Sequence, residues 1–451
     1  MIYYSTQLSE AVKENRWAAE FHRPGYKFIA KRPDEWRKIG RCSIFCQYGL
    51  SIKMNESGKG IPIYRLNEIE GCFLTESPIK YAPVSSHVSA DYELESRDIL
   101  FCRTNGNINY VGRTGIFFGV NKAVFASYLV RVRTNPTLLL PEFLTIYLNT
   151  AFGRRQIIRR AMPSNQVNVS AAELKRIDIL LPPTNSQKEI AQLVQDAYRN
   201  RALSLASYAE AQQLLEAELG VDKLKFEKPV GYTVRLSEIE TARRSDADFF
   251  HVRYEPFLAA ARNYRNGWQP LRNLTTQTLP NFDIREQMND FDYIEIGDVS
   301  VTNGAYNPNR INAKKLPANA KIELSGGEIL ISQVRPTRGA IAIVDDELRH
   351  PTICSGAFYV CTATDTSRRE IIWLYIRCMK GVFEKYCGGT SYPTIDNRYI
   401  AKFPVPLFED AFANKIQQLV MQSKNAIQKS GRLLEQAKAR VEKLIEEAVL
   451  S

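Results

Sequence analysis

The side chains best suited to chemistry in this sequence are arginines and amides set in short glycine-bearing loops. The stretch Arg103-Thr-Asn-Gly-Asn-Ile-Asn-Tyr-Val-Gly-Arg113 follows a strand-like segment at Asp98–Phe101 and offers Arg103, Asn105, Asn107, Asn109, Tyr110 and Arg113. Arginine and asparagine are the side chains that pair bidentately with guanine and adenine edges. A second loop carries Ser164, Asn165 and Gln166. Two later loops stand at corresponding places. One is Gln333-Val-Arg-Pro-Thr-Arg-Gly339, with Gln333, Arg335, Thr337 and Arg338, and the other is Gly389-Thr-Ser-Tyr-Pro-Thr394, with Thr390, Ser391 and Tyr392. Asn, Gly and Ser also make ordinary turns, so it is the recurrence in both halves that favours nucleic-acid contact. Arg154 and Arg155, with Arg159 and Arg160, fall on and beside one helical face. They suit phosphate contact, or equally a solvated helix end with cations near its negative dipole.

Signatures of catalysis are missing from the sequence. Gly58-Lys59 lacks the first glycine of a phosphate loop, and Gly115 and Gly119 do not make a dinucleotide fingerprint. Asn135-Pro136-Thr137 and Asn307-Pro308-Asn309 lack the second proline and the aromatic of an amino-methyltransferase loop, and Pro33-Asp34 has no nuclease-like Glu-x-Lys after it. The four histidines, His22, His87, His251 and His350, are far apart in sequence. Cys42, Cys46, Cys72 and Cys102 match no paired zinc-ligand spacing. The expectation is no catalytic residue, no metal and no cofactor of the chain's own.

Composition is that of a globular chain, with 44% hydrophobic and 24% charged residues over 451 positions. That length allows two or three cores. The net charge of +11 fits a polyanionic partner, either nucleic acid or an anionic membrane surface. No apolar run reaches the length of a spanning helix, and the start lacks a signal-peptide layout. A cytoplasmic location with reduced cysteines is expected.

Stepping the sequence against itself reveals what positions these loops. Matches recur in fixed order at offsets of 226 to 230 residues. Arg16 to Phe21 matches Arg244 to Phe249, and Tyr26 falls on Tyr254. Ile63–Ile69 falls on Tyr293–Val299, and Asp98-Ile-Leu100 on Glu328-Ile-Leu330. Glu142 to Leu148 falls on Glu370 to Ile376, and Ile190-Ala-Gln-Leu-Val194 on Ile416-Gln-Gln-Leu-Val420. The last pair opens two proline-free stretches, Ser186–Leu219 and Asp410–Ser451. The second has apolar residues seven apart at Val420, Ile427, Leu434, Val441 and Ala448. A parallel row runs through Ile416, Ser423, Ser430, Ala437 and Leu444. Such a narrow stripe predicts a two-helix, coiled-coil-like seam. The fold class expected is α+β: mixed domains at 1–185 and 221–409, the second with a linker at 220–235, and long helices at 186–220 and 410–451. Each mixed domain should hold short strands and one internal helix, near Pro141–Ala161 and Arg369–Cys387.

The duplicated opening (Arg244, Asp246, Phe249, Tyr254), the paired strands and the proline-bearing strand before Gln187, Ile190 and Leu193 resemble specificity subunits of type I restriction–modification systems. Phe412 stands where that pattern has glutamine, and the first opening has Trp17 and Ala19 in place of its acidic residue. The resemblance implies two tandem target recognition domains, separated by the two long helices packed as an antiparallel coiled coil. Each domain would read half of a split site in double-stranded DNA. The helices would act as a spacer and dock two DNA methyltransferase subunits, which would bind S-adenosylmethionine. A motor-nuclease restriction subunit joins in some assemblies. Two rival readings are a self-contained fused restriction–methylation enzyme or nuclease, and a basic coiled-coil scaffold without sequence preference.

Overall fold

In the computed structural model each half holds two larger sheets beside short two-stranded pairs among the described residues, and the sequence repeat reappears as repeated strand order. The structure describes residues 8–14, 16–17, 19–75, 80–84, 90–162, 166–225, 229, 231–283, 289–389 and 392–450. They divide into two units, residues 1–200 with 429–451, and residues 201–428. The boundary falls inside each long helix, Thr184–Leu219 and Asp410–Ala448.

In the first unit a six-stranded sheet begins with the order Ser43–Tyr48, Leu129–Thr134, Ile99–Cys102, Thr114–Ile116. In the second unit a four-stranded sheet has the order Thr275–Thr278, Phe358–Ala363, Ile329–Ser332, Ile341–Ile343. These are the same strands at the repeat offset, antiparallel throughout. A parallel pair recurs as well: Val124–Phe125 beside Ile61–Tyr64, and Thr352–Ser355 beside Asp290–Ile294. The central strands, Ile99–Cys102 and Ile329–Ser332, are buried at every position, as strands covered on both faces must be.

The matched segments Ile63–Ile69 and Tyr293–Val299 begin as strands and change character midway. Each bends into a short 3-10 turn, Leu66–Glu68 or Ile296–Asp298. The acidic residue folds back to accept a backbone N–H, from Arg65 to Glu68 at 2.8 Å and from Glu295 to Asp298 at 2.9 Å. Local side-chain capping outcompetes the ladder there.

The internal helices are also shorter than expected. The first breaks at Thr150 into Pro141–Asn149 and Ala151–Arg160. Thr150 is extended, donates its hydroxyl to the Tyr147 carbonyl and caps the Gly153 N–H. Gly153 is required, because a Cβ there would lie 2.0 Å from the Tyr147 carbonyl oxygen. In the second half, Arg369–Cys378 gives way to a 3-10 helix at Lys380–Tyr386. Both helices anchor to the strand that precedes a long helix by the same bond: Tyr147 donates to the Asp178 carbonyl at 2.7 Å, and Tyr375 to the Pro404 carbonyl at 2.6 Å.

Each unit closes its core on segments of both long helices. In the first unit Ile190, Val194 and Ala197 share a core with Ala437, Val441, Ile445 and Ala448. The helices run antiparallel there, since Ser430 donates to the Ala197 carbonyl at 2.7 Å while Arg440 meets Glu189. In the second unit Tyr208, Ala211, Leu215 and Leu219 join Ala413, Ile416 and Val420. Ser423 donates to the Ser204 carbonyl at 2.8 Å, and the two hydroxyls lie 3.0 Å apart. The apolar row is buried unevenly, with Val420, Val441 and Ala448 buried. Ile427 and Leu434 are only half-buried, whereas Ser423, Ser430 and Ala437 are buried. Small side chains let the backbones approach, and the serine hydroxyls then reach carbonyls across the seam. The second long helix also ends earlier than expected: Val449–Leu450 leave it to pair as a strand with Ile29–Ala30.

Candidate nucleic-acid interface

Within the first unit the strand Ile99–Cys102 leads into Arg103 and a short pairing of Thr104–Asn105 with Val167–Asn168. This brings the loop at Arg103–Arg113 beside the end of the loop at 164–168, some sixty residues later in sequence. The second unit repeats the arrangement. Val334 bridges Thr394, and Arg335 donates its N–H to the Pro393 carbonyl at 2.7 Å. Arg103 and Gln333 hold equivalent backbone positions. Arg103 donates to the Tyr128 carbonyl and accepts from Val169, while Gln333 donates to Ala357 and accepts from Ile395.

Side chains then differentiate the two sites. Arg103 is half-buried, stacks over the Tyr48 ring at 4.8 Å and donates to the Ser127 carbonyl at 3.2 Å. Asn105 and Asn107 accept the N–H groups of Asn107 and Asn109, so two successive Asx turns fix the loop. Their amide groups ride on a rigid frame, and Asn107 and Asn109 are exposed. Tyr110 and Arg113 are exposed together, with the guanidinium 3.9 Å from the ring centroid. Gln166 is exposed as well; Ser164, Asn165, Thr390 and Ser391 lie outside the described residues.

In the second unit Arg335 takes a left-handed conformation with φ 48°, and its guanidinium lies 4.5 Å from the centroid of the exposed Tyr392 ring. An aromatic-stacked arginine thus stands on the loop of each unit. Thr337 is half-buried and Arg338 exposed. Gln333 donates to Asn397 at 2.5 Å, a partner that the loop sequence alone did not single out.

The four arginines at 154–160 do not form a common patch. Arg154 turns inward and holds the carbonyls of Ile108, Asn109 and Val111, so it shapes the loop from behind. Burial, with Arg113 nearby, pushes its guanidinium below the usual pKa. Arg159 donates to the Phe21 carbonyl and stacks on that ring. Arg160 is fully buried between Glu173 and Glu14. Arg155 alone of the four is exposed, above Phe152.

The opening motif has a positional task. Arg16 lies over Phe21 and donates to the Arg160 carbonyl at 2.8 Å. Its repeat, Arg244, lies over Phe249 and donates to the Tyr386 carbonyl at 3.1 Å. In the second unit Asp246 adds a bidentate pair to Arg244 and caps Phe249. The clasp ties the start of each half to the last residue of its internal helical segment, Arg160 or Tyr386.

Among the described residues no cluster of His, Cys, Asp or Glu could hold a metal ion, and no helix is long and apolar enough to cross a membrane. The cysteines are free; burial pushes the thiols of Cys72 and Cys102 up to about 11, and those of Cys354 and Cys361 to about 12. Such thiols stay protonated and unreactive.

Part of the chain is similar to known proteins. Residues 51–213 match the family described as the type I restriction modification DNA specificity domain. Over 153 residues the chain is 29% identical to the type I restriction enzyme EcoKI specificity subunit of Escherichia coli (strain K12), covering 33% of each. Over 176 residues it is 28% identical to the putative type I restriction enzyme MjaX specificity subunit of Methanocaldococcus jannaschii, covering 37% of this chain and 40% of that one. The matched segment thus spans about a third of the first relative's length. A solved S subunit of a type I restriction-modification system from M. genitalium aligns over 92% of this chain and 96% of that one, with 11% identity and a TM-score of 0.43. Over residues 51–213 the chain is thus similar to the type I restriction modification DNA specificity domain.

Proposed function

We propose that the chain is the DNA-reading specificity subunit of a type I restriction–modification complex, without catalysis of its own. Each unit reads one part of a bipartite site, using the loops at Arg103–Arg113 and Val167–Asn168 in the first and at Gln333–Gly339 and Tyr392–Thr394 in the second. The long helices serve as the spacer and receive DNA-methylating subunits, two by the logic of the repeat; a motor-nuclease subunit is an additional partner. The observation that carries the reading is the recurrence of paired loops on one backbone frame with different side chains. Backbone sameness with side-chain difference is what a reader of two unlike half-sites needs, because base edges are distinguished by donor and acceptor pattern.

The test is methylation mapping across the genome of cells that express the chain with type I methylating subunits. A split motif is expected, with Arg113→Ala relaxing one part and Arg335→Ala the other. A contiguous motif, or a motif unmoved by both substitutions, defeats the proposal. Methyl transfer from labelled S-adenosylmethionine by the purified chain alone would support the self-contained enzyme instead.

A further inference from the structure

The hydrogen bond between Gln333 and Asn397 joins two amide side chains at the rim of the second unit's loop pair. Gln333 leaves the end of strand Ile329–Ser332, and Asn397 opens the short helix Asn397–Ala401 that follows the strand Thr394–Ile395. Asn397 is exposed and Gln333 half-buried, beside an open groove lined by Gln333, Tyr386, Thr394, Asp396 and Tyr399. The 2.5 Å contact uses one amide N–H and one amide oxygen. Whichever way the two amides face, one NH2 group and one carbonyl oxygen remain for an outside partner. A donor beside an acceptor complements the N7 and N6 positions of adenine, which present an acceptor beside a donor in the major groove. Guanine presents two acceptors there and leaves the protein oxygen unpaired.

The first unit sharpens the contrast. Its equivalent of Gln333 is Arg103, with the same pattern of backbone bonds, and the position matching Asn397 is Ala171. The frame is kept, while an amide pair is exchanged for a guanidinium.

Resting on the DNA-reading function proposed above, we infer that Gln333 and Asn397 act together as an adenine reader for one position of the half-site bound by the second unit. Mutual hydrogen bonding pre-orients both amides, so that little side-chain freedom is lost on contact.

The experiment uses the complex with methylating subunits and DNA duplexes carrying its mapped motif. Each adenine of the half-site that responds to Arg335→Ala is replaced in turn by 7-deazaadenine, which removes the N7 acceptor. One replacement is expected to weaken wild-type binding roughly 5–100-fold. The same replacement should leave the binding of Asn397→Ala or Gln333→Ala almost unchanged. The isosteric Asn397→Asp, which exchanges a donor for an acceptor, should lose the preference for adenine at that position alone. The inference is overturned if no adenine is sensitive, or if sensitivity persists in all three variants. Because Arg335→Ala is mapped in the same cells, a motif that ignores Arg335 counts against the DNA-reading function. A motif that responds to Arg335 but not to Asn397 or Gln333 counts only against the adenine pair.

Discussion

Replacing Arg377 by methionine should destabilise the second unit by about 3–5 kcal/mol, because four hydrogen-bond acceptors around a buried site each lose their donor. Arg377 is 1% exposed. Its Nε donates to the Tyr208 hydroxyl at 2.8 Å, Nη1 to the carbonyls of Gly339 and Ile341 at 2.9 Å each, and Nη2 to the Val301 carbonyl at 3.1 Å. Each bond from a charged donor is worth about 1.5–3 kcal/mol, but burying the guanidinium takes back several. The net loss is smaller than the sum because methionine brings no charge to bury, yet four acceptors lose a donor. Tyr208→Phe removes one acceptor and should cost about 1–3 kcal/mol. Urea unfolding of the purified chain, followed by circular dichroism, measures both. For a unit of this size the larger loss corresponds to a melting point lower by roughly 6–20 °C. Since Gly339 ends the Gln333–Gly339 loop, Arg377→Met should also loosen DNA discrimination in the half-site that responds to Arg335. A loss below about 1 kcal/mol would refute the reasoning, because it would mean that these bonds add nothing beyond the cost of burial.

Three further outcomes are expected. Ser430→Leu should destabilise the chain by about 1–3 kcal/mol through overpacking of the seam, whereas Ser430→Ala should cost about 1 kcal/mol for the bond to the Ala197 carbonyl, both read by the same unfolding assay. Arg335→Gly should leave stability unchanged or raise it by about 1 kcal/mol, since a left-handed conformation strains any residue with a Cβ; it should still abolish discrimination in one half-site, which separates strain from recognition in a methylation map. Hydrogen bonding from the Arg244 guanidinium holds the Asp246 carboxyl below its ordinary range. A carboxyl lowered in the folded state stabilises fully above its unfolded pKa of about 3.9 and loses that contribution as pH falls through the folded value. Stability measured downward from pH 5 should therefore decline less steeply in Asp246→Asn than in the parent chain.

The repeat, the two long helices and the places of the loops are legible in the amino-acid order, because each of these is written in local spacing. Seven-residue periodicity needs no knowledge of a partner to specify a seam, and a fixed offset between Asp98-Ile-Leu100 and Glu328-Ile-Leu330 is enough to assign equivalent strands. The acidic residues at Glu68 and Asp298 were visible too, but not their effect, since a cap and a strand end differ only in which N–H the carboxylate reaches. Tertiary structure alone decided the fate of the arginines. Arg155 and Arg160 are alike in sequence, yet Arg160 is buried because the fold carries Glu14 and Glu173 to it, and a buried guanidinium must be paired. Likewise Ser423 and Ser430 looked like gaps in an apolar row. In the fold both are buried, and their hydroxyls donate to carbonyls of the facing helix, Ser204 and Ala197. Gln333 and Asn397 lie sixty-four residues apart, and no spacing rule connects them. Only the folding back of the strand Thr394–Ile395 beside the Gln333 loop makes one site of the two.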